Sequence, residues 1–179
     1  VTGDSGKSRK ELLTDGGEVF TWGWGDHGQL GHGTNHNEMA PKLVEHLLLP
    51  AWGSATGLRA KQVCCGQDHT LVLTEDGKVF SWGANRRGQL GHGDTMATST
   101  PRKVDSFHRR VAQVAAGANH SVALMEGGLL FSWGSGALLG QGKYNSSSGG
   151  KGGGGGSAST TDENTPQPIQ ALKKQRVKK

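Results

Sequence analysis

Short apolar runs separated by turn residues dominate the chain. Residues 71–82 read LVLTEDGKVFSW, in which two apolar runs flank an Asp-Gly turn, and residues 120–134 repeat this arrangement around a Gly-Gly pair. Paired runs of this kind predict β-hairpins. A further run at 111–116 precedes the second hairpin, and the Thr-Pro step at Pro101 suits an edge strand because proline cannot donate to a β-ladder. The pattern therefore predicts an all-β chain.

The chain is also internally repetitive. A shift of 51 residues superposes Trp82 on Trp133, a shift of 60 residues places Trp22 on Trp82, and a shift of 65 residues places Pro101 on Pro166. Units of this length with about four strands each have the size of a propeller blade. We assign repeat units at approximately 1–62, 63–113 and 114–179, the last one incomplete. The signature shared by the copies comprises Trp22, Gly23, Gly66, His69, Trp82, Gly83, Gly117, His120, Trp133 and Gly134.

A glycine-rich turn follows each Trp-Gly pair. Residues 20–33 read FTWGWGDHGQLGHG and match G-x-G-x-x-G, the turn that holds a dinucleotide pyrophosphate. That fingerprint needs a helix after its third glycine, but two more glycines follow within five residues, and each costs about 1 kcal/mol in a helix. Residues 80–93 keep the end of the turn without its middle glycine, and residues 131–142 form a shorter third copy. We therefore predict a structural turn and no cofactor.

Histidine and tryptophan recur as parts of the scaffold. His69 and His120 precede equivalent apolar runs, where a buried imidazole that bridges backbone groups fits better than catalysis. The three repeated tryptophans are expected in equivalent buried sites, which favours core packing over ligand stacking. His27, His32 and His36 have short spacings, but the set does not recur, so we predict no metal site. No nucleophile, base and orienting group converge within a copy, and the region is predicted to be non-catalytic.

Composition and charge add little to this picture. Hydrophobic residues make up 32% of the chain, and 31 glycines supply turns and close backbone packing. The net charge of +5 comes from the basic tail at 173–179, which is typical of a solvated connection or of a nucleic-acid contact or nuclear localisation signal. Adjacent Cys64 and Cys65 are interpreted as reduced thiols, and no membrane or targeting segment is recognised. We expect a cytoplasmic or nuclear location, or both.

These motifs resemble the regulator of chromosome condensation repeat family. The family pattern Gly-x-x-His-[Ser/Thr] stands here at 66–70, Asp-Gly-x-Val-[Phe/Tyr]-[Ser/Thr]-Trp-Gly at 76–83, and Gly-Gln-Leu-Gly at 88–91. The resemblance implies an arc of about three blades of a normally seven-bladed β-propeller built from four-stranded antiparallel repeats. Seven such repeats exceed 179 residues, so we expect the chain to be part of a larger protein.

The resemblance leaves several functions open. Family members include an exchange factor for the small GTPase Ran that is bound to chromatin, regulatory propellers of HECT-type ubiquitin ligases, and ciliary scaffolds. Plant ultraviolet-B receptors use Gly-Trp-Arg-His-Thr repeats, but residues 67–68 and 118–119 contain neither Trp nor Arg here. Our hypothesis is a non-catalytic propeller scaffold that binds a protein partner. The alternatives are nucleotide exchange on a Ran-like GTPase, regulation at chromatin, and a ligase propeller.

Two regions outside the repeat signature bear on partner binding. Arg86 and Arg87 lie in a variable part of the glycine-rich turn, and Arg109 and Arg110 lie in a connection between strands, so all four are candidate partner-contact residues. Residues 145–164 are rich in Gly and Ser and lengthen the third unit. This composition predicts a flexible insertion, which is a poor recognition element.

Overall fold

The chain folds into short strands joined by glycine-rich turns. The computed structural model describes residues 9–50, 57–136, 139–140 and 161–172. Single turns of 3-10 helix lie at Glu45–Leu47 and Gln170–Leu172. The strands are β1 (Arg9–Leu13), β2 (Val19–Gly23), β3 (Glu38–Leu43), β4 (Ala60–Cys65), β5 (His69–Thr74), β6 (Val79–Gly83), β7 (Thr98–Lys103), β8 (Val111–Ala116), β9 (His120–Met125), β10 (Leu130–Gly134) and β11 (Glu163–Pro168).

The strands form three antiparallel sheets that follow one another along the chain. The first sheet joins β1, β2 and β3, the second joins β4 to β7, and the third joins β8 to β11, each in sequential order. This arrangement confirms the predicted all-β arc of about three propeller blades. Four strands were expected in each blade, and the described residues supply three to the first sheet. The repeat boundaries assigned above stay a prediction.

Proline marks one edge of every sheet. Strands β3, β7 and β11 contain Pro41, Pro101 and Pro166, and each is the last strand of its sheet. The edge position predicted for the Thr-Pro step is confirmed, because a proline there leaves no ladder hydrogen bond unmade. At the opposite edges, the Gln62 side chain on β4 donates to the Val114 carbonyl of β8 at 2.8 Å and accepts from its amide at 3.1 Å. These bonds tie the second sheet to the third.

Strand register separates the connections into two ends. In the second sheet His69 and Thr98 both lie opposite Gly83, so the turns before β5 and β7 emerge at one end. The β5–β6 hairpin and the link to the next sheet emerge at the other end, because neighbouring strands are antiparallel. We call the first end the loop face, made by residues 24–37, 66–68, 84–97 and 117–119. The other end is the hairpin face, made by residues 14–18, 75–78, 104–110 and 126–129.

Apolar side chains fill the spaces between successive sheets. One buried cluster lies between the first and second sheets, and another lies between the second and third. Phe107 extends the second cluster, since its ring packs edge-to-face on Phe131 and Trp133 with centroids 5.8 Å apart in both pairs. The first cluster comprises Val19, Val44, Leu47, Leu58, Ala60, Val72, Phe80 and Trp82. The second comprises Leu71, Leu73, Val79, Val104, Val111, Val114, Ala123, Met125 and Trp133.

Several sequence expectations need correction or fall outside the described residues. Trp22 is only half-buried, although its counterparts Trp82 and Trp133 are fully buried, so the equal burial expected of the three tryptophans was wrong. Residues 145–160 and the basic tail at 173–179 lie outside the described residues. The last two residues assigned to the Gly/Ser insertion, 163–164, belong to β11. Among the described residues, no helix combines the length and the apolar character needed to cross a membrane.

Candidate protein-interaction face

The repeated Gly-Gln-Leu-Gly turn joins each sheet to the next. The Gln29 carbonyl in the first turn accepts a hydrogen bond from the Trp82 indole at 2.9 Å and another from the Thr70 hydroxyl at 2.9 Å. One copy later, the Gln89 carbonyl accepts from the Ser121 hydroxyl at 2.8 Å. These polar groups are buried, so each bond satisfies an atom that has no access to water. The repeated sequence of the turn therefore encodes contact between blades.

Glycine is required where the turn meets the tryptophan of the next sheet. Gly31 has φ of 82°, and a Cβ atom there would lie 2.7 Å from Nε1 of Trp82. Gly91 has φ of 78°, and its added Cβ would lie 2.8 Å from Nε1 of Trp133. Both the left-handed backbone and the close approach exclude larger residues. Residues 28–36 contain no helix, so this glycine run does not form the strand-to-helix turn of a dinucleotide site.

The two repeat-signature histidines occupy different environments. His69 is fully buried, and its Nε2 lies 2.9 Å from the Ser121 hydroxyl of the third sheet. Because that hydroxyl donates to a carbonyl, Nε2 is the donor of the pair. Burial chiefly, then the charges of Arg9 and His120, lowers the pKa of His69 to about 3. His120 is half-buried, and its ring forms no hydrogen bond within the described part of the chain.

These contacts differ from the ones expected of the histidines. His69 binds a side-chain hydroxyl rather than bridging backbone groups, and His120 does not repeat the contact. The difference arises because the hydroxyl that receives His69 belongs to the following sheet. A local pattern that ends at the histidine cannot specify that group.

Arg9 takes the place of the histidine in the first sheet and was missed as a contact residue. Its Nη2 donates to the Gly66 carbonyl at 2.8 Å and to the His69 carbonyl, both in the second sheet. The shift of 60 residues that aligns the repeats places Arg9 on His69, which was the signal that could have identified it. Arginine is long enough to reach the next sheet, so the substitution keeps a polar link between blades while changing its chemistry.

A second pair of histidines lies inside the glycine-rich turns. His32 Nε2 lies 3.0 Å from the Thr21 hydroxyl, and His92 Nε2 lies 3.0 Å from the Ser81 hydroxyl. Burial, followed by the charge of Arg102, lowers the pKa of His92 to about 4. Burial also lowers the pKa of His32, and both rings hold the turn against its own sheet. No group of three or more metal-ligating side chains occurs among the residues that the structure describes.

The four candidate arginines do not form one surface. Arg86 and Arg87 lie on the loop face, whereas Arg109 and Arg110 lie on the hairpin face. Arg87 pairs with Asp162 across two sheets at 3.2 Å. Arg110 pairs with Glu126 at 3.3 Å and donates to the Glu75 carbonyl at 2.6 Å. Two of the four therefore contribute contacts between sheets.

Arg86 and Arg109 are the two candidate arginines whose side chains are free to contact a partner. Both side chains are exposed, and neither forms an ion pair or hydrogen bond within the described ranges. The loop face also carries residues that differ between copies, such as half-buried Trp24, which aligns with Ala84, and exposed Met96, which aligns with His36. The loop face thus combines a shared turn framework with exposed side chains specific to each copy.

The sheets, the turn contacts and the repeat signature together define a β-propeller built from sequence repeats. The family model described as the regulator of chromosome condensation (RCC1) repeat matches residues 16–73 and 76–124. A second model with the same description matches residues 60–89 and 111–141. The chain belongs to this repeat family.

Relatives and solved structures agree with this assignment. The chain is 44% identical over 122 residues to the ultraviolet-B receptor UVR8 of Arabidopsis thaliana, covering 68% of this chain and 26% of the receptor. It is 40% identical over 134 residues to the human E3 ubiquitin-protein ligase HERC2, covering 73% of this chain and 3% of the ligase.

The crystal structure of Prp20p from Saccharomyces cerevisiae superposes with a TM-score of 0.70 at 25% identity, covering 93% of this chain and 37% of that one. Prp20p has binding properties to Gsp1p and histones. The chain spans about a quarter or less of the curated relatives it matches. It is a propeller interaction domain of the RCC1-repeat type.

Proposed function

We propose that this region is a non-catalytic scaffold that binds a protein partner through its loop face. The proposal is supported by the different positions of residues that the copies share and residues that differ between copies. Residues shared by the copies, such as Gly31 and Trp82, make contacts between or within sheets. Residues that differ between copies, such as Arg86 and Met96, are exposed on the loop face. Propellers carry recognition on loops held by a rigid scaffold, and this face has that organisation.

The chemistry of the buried polar groups argues against catalysis by the described residues. Among the described residues, the hydroxyls of Thr21, Ser81 and Ser121 lie within 3.0 Å of an imidazole, but each is buried and donates its own proton to a backbone carbonyl. The shortest of these pairs is His69 with Ser121, at 2.9 Å. Both residues are fully buried, and the pKa of His69 is lowered to about 3, so the pair cannot receive a substrate and the imidazole is a weak base. Propellers built from RCC1 repeats are generally non-catalytic, which agrees with this conclusion.

Two similar proteins support two more specific functions. Prp20p binds Gsp1p and histones, which supports nucleotide exchange on a Ran-like GTPase or regulation at chromatin as the second candidate. HERC2 is an E3 ubiquitin-protein ligase, which supports a ligase propeller as the third. The ultraviolet-B receptor role is not proposed, because the turns at 67–68 and 118–119 lack the tryptophan and arginine of that receptor's repeats.

Affinity capture with two matched surface variants tests the proposal. The chain would be compared with a loop-face variant, Arg86→Glu plus Thr95→Glu, and a hairpin-face variant, Arg109→Glu plus Ser106→Glu, with captured proteins quantified by mass spectrometry. All four positions are exposed, so folding should be unaffected. We expect the loop-face variant to lose its partners and the hairpin-face variant to keep them.

The reverse dependence, or capture that neither variant changes, would contradict the loop-face scaffold. A parallel assay with a purified small GTPase carrying labelled guanine nucleotide separates the second candidate from the first. A scaffold leaves the spontaneous release rate unchanged, whereas an exchange factor accelerates it. Release that the chain accelerates would replace the scaffold proposal by the exchange proposal.

A further inference from the structure

The second glycine-rich turn is held rigid by one buried side chain. Asn85 is fully buried, and its Nδ2 donates to the Asp94 carbonyl at 3.0 Å and to the Met96 carbonyl at 3.1 Å. Its Oδ1 accepts from the Leu90 amide at 2.9 Å. Three backbone groups of the loop are therefore tied to a single side-chain amide. The residues next to these contacts have an ordered backbone before any partner arrives, which reduces the entropy lost on binding.

Met96 projects from this ordered backbone into water. Its side chain is 74% exposed, although its amide donates to the Asp94 carboxylate at 2.9 Å and its carbonyl is bound by Asn85. The same carboxylate is fixed by Arg102 at 2.9 Å. A single exposed apolar residue is common on protein surfaces. Met96 is notable because the structure holds its main chain on both sides while leaving its side chain unpacked.

Arg86 supplies an unpaired positive charge on the same loop as this methionine. It directly follows Asn85, whose side chain touches the Met96 carbonyl, so the two residues extend from neighbouring segments of one loop. Arg87, the next residue, and Arg102 on β7 are paired with carboxylates, but Arg86 has no such partner within the described part of the chain. An arginine in this state retains all the donors of its planar fork for an incoming carboxylate.

We propose that Arg86 and Met96 form a docking surface for an acidic segment of a partner protein, in which a carboxylate side chain adjoins an apolar side chain. The carboxylate binds the free guanidinium, and the apolar side chain covers the exposed thioether. Nucleic acid fits this loop less well, because binding to a phosphate backbone draws on several free cations, and Arg87 and Arg102 are already paired with Asp162 and Asp94. The inference rests on the proposed scaffold function and specifies its partner chemistry.

A peptide-binding measurement tests this surface directly. The probe is a short fluorescein-labelled peptide in which glutamates alternate with leucines, and anisotropy is followed as the chain is added. Companion peptides replace the glutamates by lysines or the leucines by serines. We expect the first peptide to bind and both companions to bind more weakly. Arg86→Glu should weaken binding about tenfold or more, and Met96→Ser several-fold.

Two control variants carry the same changes elsewhere on the surface. Arg109→Glu reverses an exposed and unpaired charge on the hairpin face, and Met39→Ser removes a methionine that is 95% exposed on β3. Both should bind the peptide within about twofold of the parent chain. Failure of the parent to bind, or equal losses in the variants and their controls, would overturn the proposal. If affinity capture through the loop face persists in that case, the scaffold function stands and only the partner chemistry is wrong.

Discussion

Replacing His69 with alanine should destabilise the chain far more than the same change at His120. The two positions are equivalent in the repeat, so their chemistry and local sequence context are matched. In the structure, His69 is fully buried and donates to the Ser121 hydroxyl at 2.9 Å, whereas His120 is half-buried without a ring hydrogen bond among the described residues. The pair therefore isolates the effect of the following sheet.

The expected cost follows from what His69 loses. Removal of the imidazole leaves a cavity between the second and third sheets, which by analogy with large-to-alanine core substitutions costs about 2 kcal/mol. Loss of the hydrogen bond costs about 1 kcal/mol, since the Ser121 hydroxyl keeps its bond to the Gln89 carbonyl. The total of about 3 kcal/mol compares with about 1 kcal/mol or less for His120→Ala. Ser121→Ala should cost about 2 kcal/mol, because it leaves no large cavity but removes two buried hydrogen bonds, the one from His69 and the one to the Gln89 carbonyl.

Urea denaturation followed by tryptophan fluorescence measures these differences. Free energies of unfolding would be compared at equal m-values, so that a shift of midpoint reports stability alone. If His69→Ala does not fold, Ser121→Ala still removes the same contact, together with the bond from Ser121 to the Gln89 carbonyl. Equal destabilisation by His69→Ala and His120→Ala would refute the argument, because the following sheet would then make no difference to the histidine.

Three further outcomes follow from the contacts between sheets. Since the pKa of His69 is lowered to about 3 in the folded chain, the unfolded chain takes up the proton first below about pH 6.5. Neutral His69 therefore contributes fully to stability above that pH, and the free energy of unfolding falls by about 1.4 kcal/mol per pH unit from there down to about pH 3. Urea melts at several pH values would detect this loss. Gly91→Ala should cost several kcal/mol more than Gly127→Ala, because both have positive φ but only the former meets a tryptophan ring; calorimetry of the two variants checks this. Trp82→Phe should cost about 1 kcal/mol more than Trp133→Phe, since only the Trp82 indole donates a hydrogen bond among the described residues, and the same melts measure it.

Strand positions were accessible from the sequence because they depend on local chemistry. The apolar run at 111–116 coincides with β8, and the Asp-Gly turn between β5 and β6 lies where the hairpin signal placed it. Proline specified the edge strands because its missing amide excludes it from a ladder with two neighbours. These features require only period-two alternation and turn propensity. They would hold in any arrangement of the sheets.

The candidate contact residues were predictable only as a set. All four arginines lie in connections, as predicted, but the sequence contained no information on which of them meets a carboxylate. Arg87 finds Asp162 some 75 residues away, while adjacent Arg86 finds no ion pair in the described part of the chain. Whether two residues so far apart in the sequence meet depends on how their sheets are placed relative to each other. Adjacent arginines with the same chemistry therefore have different surroundings.

The sequence by itself determined the repeat, its strands, its glycine turns and its family, because each copy carries its own hydrogen-bonding and turn chemistry. Tertiary structure decided the burial of equivalent residues. Trp82 is enclosed because the turn of the preceding sheet covers it, while Trp22 is half-buried. His69 is held by a hydroxyl of the following sheet, while His120 has no such bond among the described residues. In a repeat fold, each unit packs against its neighbours, so identical residues contribute different amounts to folding stability according to what lies beside them.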